Sequence, residues 1–259
     1  MRFLRGALTE SDGVTDDEPA LELALARAML TEARGGEVEE SLRIYRPAEP
    51  VAVFGRRDTR LPGFPDAVEV ARAAGFEPVV RATGGRAVAY TGAALVVDHV
   101  RHEAGALGGQ DERFEAFGQR FVDLFREMGV DARLGAVPGE YCPGAHSVNA
   151  RGTEKLVGTA QRMVPGAWLF SSLVVVGDEE RLRPVLAEIY RCLGQEFDED
   201  SVGSLSREVP GLDVDTVEAA VVDAFGTEAP ATTVPVGAGL LAMARSVVDQ
   251  HRVDPGRPS

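Results

Sequence analysis

An α+β fold, a mixed β-sheet with flanking helices, is what this sequence predicts, and two observations carry the expectation. Short apolar strands follow one another in hairpins and meanders that helices interrupt, without the regular strand-helix alternation that builds a parallel doubly wound sheet. The chain has 259 residues, 44% hydrophobic and 26% charged, which is ordinary globular composition with ample length for a buried core.

The elements follow in order. Asp16, Asp17 and Glu18 offer an acidic N-cap and Pro19 an early helical proline, after which Leu21, Ala24, Leu25, Ala28 and Met29 recur at helical spacing. Strands are expected over residues 41–45 and 51–54, separated by Pro47 and Pro50, with a turn over 55–58. Pro65 opens a helix through Ala74 that Gly75 ends, and residues 78–81 form the next strand. Thr83-Gly84-Gly85 is a tight turn into strands over 87–90 and 94–100. Phe114, Phe117, Phe121, Leu124 and Phe125 mark the apolar face of a helix over 111–128, and this aromatic stripe reads as core. Strands near 132–134, 147–149, 156–162 and 167–176 precede helices over 179–193, 214–225 and 237–249, with an irregular stretch at 197–210 and a frayed tail at 253–259. We divide the chain into a main unit over residues 1–196 and a C-terminal helical extension over 197–259 packed on it.

A formal net charge of -14 argues against a nucleic-acid binder or an anionic membrane surface, because both need a basic field. An acidic protein partner would need a local arginine patch, and Arg56, Arg57, Arg60, Arg81, Arg86, Arg151 and Arg162 all lie within or beside the motifs below. Two cysteines fifty residues apart, with no CxxC, make neither a disulfide framework nor a zinc site. The first residues lack the apolar stretch of a signal peptide and no apolar run reaches membrane-spanning length, so a soluble cytoplasmic protein without a metal is expected.

The 27 basic residues are all arginine save Lys155, which suggests a position where a planar fork cannot replace a compact ammonium. A GC-rich genome that avoids lysine codons would leave the same trace. The only asparagine, Asn149, and the only tryptophan, Trp168, fall in the same stretch. Thirteen residues before Lys155, Tyr141-Cys142-Pro143-Gly144 holds a cysteine in a rigid turn. A nucleophilic thiolate needs partial exposure and a nearby cation, which Lys155 could supply across a hairpin return; a small buried hydrophobe is the competing reading. Cys192, between Tyr190 and Leu193 on a helix, is assigned to the core, and His146, His99 and His102 are weak candidates for a base. The turn Arg81-Ala82-Thr83-Gly84-Gly85 lets backbone amides approach a ligand, without the spacing of either common phosphate loop. Gly158-Thr159-Ala160 is a run of small residues on a strand, leaving a groove for a slender apolar chain or room for a neighbouring helix.

Four segments together resemble the lipoate-protein ligase, octanoyltransferase and biotin ligase superfamily: Pro19 to Leu25, Val53-Phe54-Gly55-Arg56-Arg57-Asp58, Arg81 to Gly85, and Lys155-Leu156-Val157-Gly158-Thr159-Ala160-Gln161-Arg162. They stand in family order, a later Ser201-Val202-Gly203-Ser204-Leu205 adds to them, and the resemblance covers roughly residues 15–226. It implies the biotin/lipoate ligase type of catalytic domain. The segment Tyr141 to Gly144 is similar to the one bearing the nucleophile in octanoyl amidotransferases, which move an octanoyl group from the glycine-cleavage H protein to lipoyl domains of 2-oxoacid dehydrogenases. The pattern of the ATP-dependent ligases has a third glycine and then a His-Asp pair after the Gly-Gly turn; here Arg86, Tyr90 and Thr91 stand instead.

The resemblance therefore implies octanoyl or lipoyl transfer through a thioester on Cys142 onto a carrier-domain lysine, with no cofactor. Lys155 would favour the thiolate and stabilise the oxyanion, while Arg81, Thr83, Gly84, Gly85, Gly158, Thr159 and Ala160 would wall the acyl slot. The donor would be an octanoylated or lipoylated H protein or acyl carrier protein. The base for the incoming amine is unassigned. Two alternatives stand beside this reading: a lipoate ligase using ATP and Mg²⁺, in which Lys155 holds the activated carboxylate and phosphate, and a non-catalytic binder of lipoyl domains.

Overall fold

The computed structural model describes residues 1–8, 18–226 and 232–253. Strand β1 (Arg2–Arg5) leads to helix α1 (Pro19–Gly35), then β2 (Glu40–Tyr45), β3 (Val51–Phe54), α2 (Phe64–Ala73), β4 (Glu77–Val80), β5 (Val88–Tyr90) and β6 (Ala94–His102). Helix α3 (Gln110–Glu127) is followed by β7 (Ala132–Leu134), β8 (Val148–Ala150), β9 (Glu154–Val164), β10 (Ala167–Val175) and α4 (Glu179–Cys192). The short α5 (Leu205–Glu208), α6 (Val214–Gly226), β11 (Thr232–Thr233) and α7 (Ala238–Arg245) complete the described chain.

An eight-stranded sheet runs in the order β11-β1-β2-β6-β10-β9-β8-β7, and a three-stranded sheet in the order β4-β3-β5. In the large sheet β1 lies parallel to β11 and β2, and every other pairing is antiparallel. In the small one β3 pairs β4 parallel and β5 antiparallel, which makes both sheets mixed.

The period-two alternation of strands divides the interior. Tyr45, Val96, Val100, Leu169 and Leu173 turn to one face and bury against α1, the small sheet and helices α2, α4 and α7. Leu42, Ile44, Leu95, Val97 and Phe170 turn to the other, against α3 and α6. Phe117 stacks on Phe170 at 4.4 Å and Phe121 leans on Phe225 at 4.8 Å, so most of the aromatic stripe is core. Phe114 departs from it, stacking on His146 beside the cavity described below.

Several local expectations shift. Helix α1 begins at Pro19 with Glu18 as N-cap, but no side chain bonds there; Asp16 and Asp17 lie outside the described residues. Strands β1 and β11 are additions, α5 sits inside the stretch expected to be irregular, and the last helix divides into α7 and a 3-10 turn at Val248–Gln250. Of the expected tail only Val253 is described. Beyond residue 196 the chain contributes β11 to the large sheet as well as helices, and α7 packs along α1. His251, fully buried, then accepts the Val80 amide on its carbonyl at 2.8 Å and holds the Val80 carbonyl through Nδ1 at 2.7 Å. The end of β4 is thereby fixed just ahead of Arg81.

Candidate active site

Between β7 and β8 the chain wraps around one carboxylate. Glu140 accepts hydrogen bonds from the Val137 amide at 3.0 Å, the Gly144 amide at 3.4 Å and the Ser147 hydroxyl at 2.6 Å, and pairs with the Lys155 ammonium at 2.8 Å. Both charged side chains are almost fully buried, so each neutralises the other where water cannot. Lys155 also donates to the carbonyls of Tyr141 and Cys142, each at 3.0 Å. Its strand is held in turn by Val202, which bridges Lys155, and by the Gly203 amide on the Lys155 carbonyl.

These anchors place Cys142 in the left-handed region at φ 44, a conformation a side chain adopts only when its surroundings impose it. The Cys142 amide donates to the Tyr190 hydroxyl at 2.6 Å, and that hydroxyl donates to the Ala87 carbonyl at 2.9 Å. The residue as a whole is only partly buried. Its Sγ accepts from Arg81 Nη2 at 3.3 Å and from the Arg86 amide at 3.2 Å. Burial pushes the thiol pKa up, but the charges of Arg81 and Lys155 and the two hydrogen bonds outweigh it, and the net shift is downward.

Two glycines make this approach possible. Gly85 has φ 100, and a Cβ there would overlap the Arg81 guanidinium and lie 2.7 Å from Cys142 Sγ. A Cβ at Gly55 would overlap the Gly85 carbonyl. Asp58, fully buried, accepts the Gly55 amide at 2.8 Å and holds that turn.

One cavity takes in the thiol, and a second meets it at Ala160. The first, of about 660 Å³, is lined by Cys142, Lys155, Gly84, Gly85, Thr159 and Ala160. The other, of about 560 Å³, lies between α1, the small sheet and the large sheet, with Arg81, Thr83, Gly158 and Ala160 in its wall and apolar side chains such as Leu23, Val53, Val96 and Leu169 around it. Ala160 belongs to both. The nine residues singled out from sequence thus fall around one pair of adjoining spaces, and the groove reading of the small-residue run has a cavity to go with it.

Roles within the set differ from the expectation. The direct donors to Sγ are Arg81, expected only as slot wall, and the Arg86 amide; Lys155 acts on the sulfur through charge. Its ammonium bonds Glu140, Tyr141 and Cys142, an arrangement in which no donor is left over for a bound oxyanion. Glu140 and Tyr190 carry no sequence signal of their own, being an ordinary acidic loop residue and one aromatic on a helix face. Asn149 and Trp168 are structural: Asn149 bonds Gly135 and Gly152, and the Trp168 indole donates to Glu103. His99 pairs with Glu40 and His102 with the Ala33 carbonyl, both outside the cavities, whereas His146 stands on the rim. Cys192 is partly buried against the core. Arg56, Arg57, Arg60 and Arg86 are exposed, while Arg151 pairs with Glu154 and Glu208. Among the described residues no cluster of His, Cys, Asp and Glu could hold a metal ion, and no helix is long and apolar enough to cross a membrane.

Removing the arginine that touches the sulfur should raise the thiol pKa, because the charged form loses its nearest cation. In Arg81→Met the pH midpoint of iodoacetamide alkylation at Cys142 is expected to move up by about one unit, with roughly tenfold slower alkylation near neutrality. A midpoint identical to wild type would remove Arg81 from this role.

The chain belongs to the lipoyl protein ligase A/B catalytic domain family, which it matches over residues 18–226. It is similar to an octanoyl-[GcvH]:protein N-octanoyltransferase of Exiguobacterium sibiricum, 36% identical over 114 residues that make up 44% of this chain and 41% of that protein. A protein of the same description from Geobacillus kaustophilus is 26% identical over 173 residues, 67% of this chain and 60% of the relative. The matches thus span about two fifths to three fifths of those relatives. The fold is that of lipoate-protein ligase A solved with bound ATP, at a TM-score of 0.74 and 20% identity over 96% of this chain and 95% of that one. A putative lipoate protein ligase from T. acidophilum with bound lipoic acid superposes with the same score, identity and coverage.

Proposed function

We propose that the protein is an acyltransferase that moves an octanoyl or lipoyl group, through a thioester on Cys142, onto a lysine of a lipoyl-carrier domain. The observation that carries this reading is the Cys142 thiol, its pKa lowered by two cations, standing in an open cavity that meets a largely apolar slot at Ala160. Names of similar proteins point the same way.

The chemistry has two halves. The thiolate attacks the acyl carbonyl of the donor, the tetrahedral intermediate collapses, and the donor's leaving group, the lysine amine of an H protein or the carrier thiol of an acyl carrier protein, departs with a proton as the thioester on Cys142 forms. The acceptor ε-amine then attacks the thioester, an amide bond forms, the amine proton is given up and the thiolate leaves. A lowered thiol pKa helps most in this second half, where the sulfur is the leaving group. Arg81 and the Arg86 amide receive the returning charge.

The donor in this reading is an octanoylated or lipoylated glycine-cleavage H protein or acyl carrier protein, and the acceptor a lipoyl domain of a 2-oxoacid dehydrogenase. No ATP is consumed, and the reaction belongs in the reducing cytoplasm, where a thiol survives. The ligase alternative asks Lys155 to hold a carboxylate and a phosphate, and the ammonium is committed to Glu140 and two carbonyls instead.

The test is incubation with octanoylated H protein and an unmodified lipoyl domain, with and without ATP and Mg²⁺, followed by mass spectrometry. An octanoyl adduct on Cys142 and transfer without ATP are expected. Strict dependence on ATP would favour the ligase, and binding without any acyl movement would favour the non-catalytic reading.

A further inference from the structure

Tyr90 lines the slot that adjoins the Cys142 cavity. This residue stands at the end of β5 and is almost fully buried. It also lines a further narrow cleft, partly open to solvent, walled by Leu21, Tyr45, Pro47 and Val51 together with Glu18, Glu22 and Glu49. Two separate spaces therefore meet at one aromatic ring.

The partition is fixed from behind. The Tyr45 phenol lies close to that of Tyr90, and the Arg43 guanidinium lies 4.1 Å from the centroid of the Tyr45 ring. Arg43 is itself fully buried and paired with Glu22, so the support cannot swing away at little cost. Beside Tyr90 in the slot lining, Asp98 accepts from the Ser171 hydroxyl, and burial pushes its carboxyl up to about 6. Apolar side chains make up much of the slot, with Arg81, Thr83 and Ser172 among them, and at the Asp98 and Ser171 wall an aliphatic chain gains nothing by pressing further.

We propose that Tyr90 is the end stop that sets the acyl-chain length, holding the site to medium chains by closing the slot off from the cleft behind it. The proposal rests on the acyl-transfer reading above. Removing the ring would join the two spaces into one longer channel.

The experiment compares wild type, Tyr90→Phe, Tyr90→Val and Tyr90→Ala. Each is mixed with octanoyl and with dodecanoyl thioester donors, and the acyl adduct on Cys142 is quantified by mass spectrometry. Calorimetric binding of free octanoic and dodecanoic acid runs in parallel, and thermal melts identify which variants fold. Wild type and Tyr90→Phe are expected to favour octanoyl by roughly tenfold or more, since a few misplaced methylenes are worth that much in an apolar pocket. A folded Tyr90→Val or Tyr90→Ala should lose or invert the preference. Wild type that takes both chains equally, or a folded small-residue variant that keeps the wild-type ratio, would overturn the end stop. Absence of any adduct, with a binding preference that still inverts in the variant, would overturn the acyl-transfer reading and leave the end stop standing.

Discussion

Cys142→Ala is expected to lower acyl transfer by roughly a thousandfold or more while leaving the fold near wild-type stability, because the reaction loses its only proposed nucleophile. The loop around residue 142 is held by backbone groups: the amide on Tyr190 and the carbonyl on Lys155. Alanine keeps both, and it has the same Cβ as cysteine, so the left-handed backbone at this position gains no new strain. The check is the transfer assay beside a thermal melt. Normal transfer by a folded Cys142→Ala would sink the thioester mechanism.

Lys155→Met should be the most damaging single change to the site as a structure. It strands the Glu140 carboxylate, whose side chain is 0% exposed, and an uncompensated buried charge costs about 3–5 kcal/mol. The carbonyls of Tyr141 and Cys142 lose their donor at the same time. Urea titration should show the loss, and transfer should fall with it. The double variant Lys155→Met with Glu140→Gln is expected to regain much of the stability, since no charge is left buried, without regaining transfer, since the thiol has lost one of the two cations that favour its ionised form. Recovery of both together would mean that Lys155 serves the fold alone. The setting also explains why a chain that otherwise uses arginine keeps one lysine. The Lys155 side chain runs beside Gly158, where a built Cβ would already stand 3.3 Å from Lys155 Cε, and three acceptors converge on a single point that a planar guanidinium cannot occupy.

What the residues disclosed before folding was local in range. Helices α1 and α3 show in the 3.6-residue spacing of Leu21 to Met29 and Phe114 to Phe125, and the Gly-Gly turn shows in its composition. The pairing of Cys142 with Lys155 was legible because thirteen residues and a hairpin separate them. Contacts made across greater separations left no trace. Arg81 reaches Cys142 across 61 positions and Tyr190 reaches it across 48, and nothing in either neighbourhood of the chain announces the other. Strands β1 and β11 escape for a related reason: four residues and two residues are too short for alternation to register, and only their parallel pairing defines them. Glu140 looked like any solvated acid until the loop closed over it.

The anchors of Cys142 come from opposite layers of the molecule. Lys155 belongs to the large sheet, Arg81 follows the last residue of a small-sheet strand, and Tyr190 bonds both the thiol's own amide and the carbonyl just ahead of β5. If the small sheet lifts from the large one, even without general unfolding, the sulfur parts from its cations and reverts to an ordinary thiol. Nucleophilic reactivity is therefore a gauge of interlayer contact, and mutations that loosen that seam far from the cleft should silence the protein before they melt it.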